Sequence, residues 1–172
     1  MRKRRISEVN QMATMTLPIR ELELSVRVGT DKARAEAECV VFYSQARAVE
    51  PVRMTLKFGV TALFLKFLLA SLARHQRMLI RALQDMDLSI CKSEELIKLA
   101  DSLEKITERG RPIMSKLGQF GPRAHKLWHP SLSQLDEQFD HFDSIATSLR
   151  VAADPEASML MGMAAEQMAA AV

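Results

Sequence analysis

Residues 58–73, FGVTALFLKFLLASLA, make a run of sixteen in which Lys66 is the only charged side chain. A surface helix carries one apolar stripe, whereas this stretch is apolar almost all the way round. Such a helix has to be covered on every side by its own fold, a second copy, another partner or lipid. As a membrane span it is short, because sixteen helical residues reach about 24 Å against a hydrocarbon core of roughly 30 Å. Lys66 near its centre makes insertion harder still, and extending the run N-terminally meets Lys57 and Arg53 at once. The sequence therefore favours burial in a helical core, helped by self-association, over spanning or peripheral contact with a membrane.

The chain has 172 residues and ordinary hydrophobic content, which predicts one folded domain rather than wholesale disorder. Two cysteines, Cys39 and Cys91, form no disulfide framework and suit a reducing compartment, so a cytoplasmic location is expected. The basic N-terminus lacks the apolar run of a secretory signal. Net charge is +3, but the charges are segregated. Residues 53–81 carry Arg53, Lys57, Lys66, Arg74, Arg77 and Arg81 with no acid, and residues 109–131 are likewise basic only. Residues 132–172 hold seven acids against Arg150 alone. Either the acidic part docks on the basic segments, or a basic face stays open to an anionic partner.

The expected fold is mostly α, a helical bundle of four to five helices with a small N-terminal strand-helix-strand element. Residues 1–20 read as a flexible basic extension. Leu22, Leu24, Val26 and Val28 alternate with polar residues up to Gly29, and Val52, Met54, Leu56 and Phe58 do so up to Gly59. Period-two alternation closed by glycine is the signal of a half-buried strand. Between them, alanine content and the pairs Lys32/Glu36 and Arg34/Glu38 favour a helix, although residues 39–44 also suit a strand. These parts make up a 21–59 unit. Residues 60–108 read as a long helix over 60–87 and a second from Ser93 to about Glu108. Residues 109–131, with their Gly and Pro, read as a loop. Residues 132–172 read as an acidic, methionine-rich helical hairpin restarted by Asp154 and Pro155.

No catalytic, nucleotide-binding or metal signature stands out, and no enzyme or cofactor is expected. His125 and His129 lie four residues apart, but Gly121 and Pro130 restrict the helix that zinc ligation would need. Phe64, Phe67 and Leu68 are the expected hydrophobic contact residues. Met159 and Met163 are expected to form an adaptable docking face, since methionine-lined surfaces accommodate varied partners. The leading expectation is a non-enzymatic adaptor or assembly protein, a homo-oligomer and most simply a dimer, that also docks a protein partner. The alternatives are a nucleic-acid-binding accessory protein, using Arg109, Arg111, Lys116, Arg123 and Lys126 on phosphates with Trp128 stacking on bases, and a peripheral membrane-associated protein using the 58–73 helix. A helix-turn-helix over residues 94–120 is set aside, because Gly110 and Pro112 break the required second helix.

Overall fold

The computed structural model describes the backbone of residues 2–154 and the side chains of residues 18–121 and 126–154. Four α-helices follow one another: α1 (Arg2–Ala46), α2 (Pro51–Gln84), α3 (Ser93–Gly118) and α4 (Pro122–Ala153). No strand occurs among the described residues. Local chemistry sets the boundaries. Pro51 and Pro122 open α2 and α4, where a fixed φ is preorganised and no backbone N–H is needed. Glu94 and Glu95 sit in the first turn of α3, facing its positive dipole end. Between α2 and α3, Asp87 Oδ1 accepts from the Ser89 amide at 3.0 Å and its hydroxyl at 2.7 Å, closing a short 3-10 turn at Leu88–Ile90.

Two antiparallel hairpins stack to make the bundle. In the first, Lys57 lies over the Tyr43 ring near the turn while Leu72 packs at Gly29 far from it, so α1 and α2 run in opposite directions. In the second, Arg111 meets Asp140 and Asp143 while Arg150 meets Asp101 and Glu104, so α3 and α4 do likewise. The stacking places α1 beside α3 and α2 beside α4, each pair parallel. Arg20–Glu95, Asp31–Arg109 and Glu38–Lys116 climb the α1/α3 seam in step. The indole of Trp128 donates to Ala62 O at 3.2 Å, and Gln138 Nε2 donates to Ala73 O at 3.0 Å, on the α2/α4 seam. Helices α2 and α3 therefore lie on a diagonal that residues 85–92 cross.

One core runs through all four helices, with Trp128, Phe139 and Phe142 as its largest fully buried side chains. Its middle layer is tight and partly polar. A Cβ at Gly29 would stand 3.2 Å from Leu72 Cδ1, and one at Gly110 would collide with the Phe139 ring. Thr30, Gln76, Thr107 and Gln138 are buried there or one turn away. Thr30 Oγ1 donates to Val26 O at 2.8 Å, whereas both amide atoms of Gln76 and the Thr107 hydroxyl find no hydrogen-bond partner in the protein.

Several expectations are corrected. The alternating runs at 22–28 and 52–58 are helical, and so is 39–44. Val26 is fully buried with Leu22 packed against the core, while Leu24 and Val28 are exposed. Residues i and i+4 share a helix face, so the alternation is the sum of an inward and an outward stripe. Residues 2–20 continue the same helix as α1 rather than forming an extension. The 109–131 loop shrinks to residues 119–121, because α3 carries Pro112 internally and α4 starts at Pro122. No helix-turn-helix forms, since residues 93–118 are a single helix. The second helix of the expected C-terminal hairpin falls outside the described residues.

Candidate interaction surface

Helix α2 is apolar on two opposite sides. Its inner side places Leu65, Leu69, Leu72 and Leu79 in the core. Its outer side carries Val52, Leu56, Val60, Leu63, Phe64 and Phe67, in steps of three and four residues that align them along one outward line. The exposure is substantial: 84% for Val52, 71% for Leu56 and 70% for Phe67. The helix is long and apolar enough to cross a bilayer, yet only 28% of its most apolar window is buried inside the fold. A core helix would be mostly buried, so the bundle alone does not satisfy it.

This exposure is concentrated on one hairpin of the bundle. Of the thirteen large hydrophobic side chains exposed among the described residues, all but Ile90 and Ile97 belong to the α1–α2 hairpin. Leu24, Val28 and Phe42 mark the outer side of α1, and Val49 stands at the turn. Isolated exposed hydrophobics are ordinary on a soluble protein, whereas a concentration of them makes a candidate contact surface. Phe64 and Phe67 lie together on the outer surface, 55% and 70% exposed. Leu68 does not join them, being half-buried and packed on the core. Met159 and Met163 lie outside the described residues.

Helix α2 is also basic. No carboxylate occurs in α2. Arg53 reaches Glu50 at 3.7 Å and Arg77 donates to Gln134 at 3.4 Å, while Lys66, Arg74 and Arg81 have no carboxylate partner among the described residues. The acids of α4 turn elsewhere, with Asp140 at 2.9 Å, Asp143 at 2.8 Å and Asp136 at 3.9 Å from the Arg111 guanidinium. The hydrogen bonds that Arg111 donates to Asp143 and Asp140 raise its pKa above its ordinary value. Helix α4 therefore neutralises part of the 109–131 segment, and among the described residues no ion pair joins it to 53–81.

The residues of the nucleic-acid alternative are scattered by the same geometry. Arg109 pairs with Asp31 at 3.1 Å, and Lys116 with Glu38 at 2.7 Å. The Lys116 hydrogen bond and charge hold the Glu38 carboxyl below its ordinary pKa. Lys126 is exposed, and the Arg123 side chain lies outside the described residues. Trp128 is fully buried, so its ring has no face free to stack on a base. The inter-helix ion ladder in which Arg109, Arg111 and Lys116 take part could have been suspected from the acids of α1 and α4, had 109–118 been read as helix.

Other chemistry is sparse. Among the described residues no three His, Cys, Asp or Glu side chains are placed to share a metal ion. His141 Nδ1 lies 2.8 Å from Glu137 O, and burial, with Glu95 and Asp87 nearby, pushes the Cys91 thiol pKa up. A cleft of 390 Å³ opens between α1 and α3 over Ile19, Met86, Leu96 and Leu99. Its rim charges Arg20 and Glu95 already pair with each other at 3.1 Å, and Ser102 donates to Glu23 across the seam. Comparison with models of known families, with curated proteins and with solved structures finds no match. The surface itself has to carry the functional reading.

Proposed function

We propose that this chain is a non-enzymatic interaction and assembly module, a helical bundle that presents the outward line of α2 as its contact surface. The observation that carries this reading is the aligned exposure of Val52, Leu56, Val60, Leu63, Phe64 and Phe67 on a helix whose opposite side already fills the core. Apolar surface of this kind gains about 25 cal/mol for each Å² removed from water. Exposure of so much on one wall is best explained by an occupant in the working state. A second copy, an apolar helix of a partner protein and a lipid surface all meet that demand.

An occupant-independent test is retention on a phenyl-substituted resin. The unaltered chain should be held strongly, and a Phe64→Glu/Phe67→Glu variant with unchanged circular dichroism should elute early. Equal retention of the two would sink the assignment of this face.

A further inference from the structure

We infer that the occupant of the α2 face is the surface of an anionic lipid bilayer, with the helix lying in the interfacial plane. The inference rests on the reading of that face as a contact surface. Three features of the wall favour lipid over protein.

The charge pattern comes first. Arg53, Val60, Phe67, Arg74 and Arg81 recur every seven residues on α2, so an apolar middle is bounded by bases at both ends of one outward line. Two copies packed antiparallel about Leu63 and Phe64 would set Arg53 of one against Arg74 of the other, and Glu50, already 3.7 Å from Arg53, is the one carboxylate paired there among the described residues. Like charges placed opposite one another oppose association. An anionic leaflet reverses the sign of that term, since each base near its surface strengthens attachment by about fivefold.

Shape comes second. Val52, Leu56, Val60, Leu63, Phe64 and Phe67 follow the crest of α2, on the side opposite the core. A partner helix docks most readily into a groove, whereas a crest suits a medium that deforms around it. Interfacial helices sink their apolar side by about 5–10 Å while flanking lysines and arginines extend to the phosphates. Lys66 lies beside the line and is exposed, as that arrangement needs.

Orientation comes third. Leu65, Leu69 and Leu72 on the other side of α2 are buried against the rest of the bundle. Full insertion of α2 would tear them from the core, so the fold restricts α2 to lying on the bilayer. Phe42 and Val49 extend the apolar surface past the start of α2 toward the hairpin turn.

The test is flotation of the full chain with vesicles of phosphatidylcholine, with and without phosphatidylserine. Binding should appear with phosphatidylserine, weaken by at least about tenfold without it, and fall as salt is raised. Phe64→Glu/Phe67→Glu should abolish it, and Arg74→Glu/Arg81→Glu should weaken it while leaving retention on the phenyl resin intact. Both variants change exposed side chains, and circular dichroism checks that each is folded. Equal binding to both vesicle types would overturn the anionic requirement. No vesicle binding, with a discrete dimer that Phe64→Glu/Phe67→Glu splits, would overturn the lipid inference and leave the contact surface standing with a second copy on it. A monomer that binds no vesicle yet is retained on the resin would assign the face to a protein partner and also overturn the inference. Absence of vesicle binding, self-association and resin retention together would overturn both readings.

Discussion

Gly110 of α3 lies under the ring of Phe139 in α4, so close that a Cβ at position 110 would come within 3.0 Å of three ring carbons. Phe139 is fully buried and has no room to withdraw. The glycine weakens the helix interior by roughly 0.5–1 kcal/mol relative to alanine, but it lets two antiparallel helices close around an aromatic side chain. Gly110→Ala should therefore lower stability by about 2 kcal/mol or more through overpacking. Gly59 in α2 provides the control, since a Cβ there meets nothing within 4 Å. Gly59→Ala should raise stability by up to about 1 kcal/mol, and urea unfolding of the two variants measures the contrast.

The amide of Gln76 is fully buried, and neither its nitrogen nor its oxygen has a hydrogen-bond partner in the protein. A buried polar group without a partner carries a desolvation penalty of about 1–3 kcal/mol. Gln76→Met keeps the volume and removes the penalty. The variant should melt at higher temperature by several degrees, by the usual scaling of about 2–4 °C per kcal/mol for a chain of this size. A lower melting temperature would mean that the amide stabilises the middle layer of the bundle after all.

Acid should loosen the seams between helices. Glu38 is held below its ordinary pKa of 4.5 by the hydrogen bond and charge of Lys116, and Glu104 below 4.5 by Arg150. A carboxylate with a depressed folded pKa stabilises the fold above its unfolded value, and that contribution disappears as pH falls through the folded value. The hydrogen bond to Glu104 raises the Arg150 guanidinium above its ordinary value, so its own titration has no bearing near neutrality. Glu38→Gln should melt below the unaltered chain at neutral pH, and the gap should close once pH drops well under 4.5. Both side chains are exposed, so added salt should narrow the neutral-pH gap.

The helical character of residues 60–84 was legible because leucine and phenylalanine recur on a helical period through a stretch without proline. The two supposed strands were misread for a definite reason. In a helix with apolar residues on both sides, Leu22 and Val26 point inward while Leu24 and Val28 point outward, and the sum imitates alternation. The same holds for Met54 with Phe58 against Val52 with Leu56. The false strands were thus the first trace of the exposed wall. Gly110 and Pro112 looked like breakers, and only the partner helix shows that Gly110 is there to admit Phe139. Phe64 and Phe67 stood out through their place in an over-apolar helix, and the structure shows them exposed. Leu68 was not separable from them, because the direction of the core is set by α1 and α4 rather than by α2 itself.

Two residues on α2 separate the core from the contact surface most cleanly. Leu69 is fully buried, whereas Phe67, two positions earlier, is 70% exposed. Leu69→Gln removes buried apolar contacts and introduces an amide, and it should cost about 3–5 kcal/mol. Phe67→Gln changes a larger side chain, yet it should shift stability by no more than about 0.5 kcal/mol, because it removes little from the folded core. The order should invert when contact is measured instead of folding. Phe67→Gln should elute earlier from a phenyl resin and float less with anionic vesicles, while any loss in Leu69→Gln should follow its fraction unfolded. If Phe67→Gln proved as destabilising as Leu69→Gln, the outer line of α2 would belong to the core of the folded chain and not to a surface awaiting an occupant.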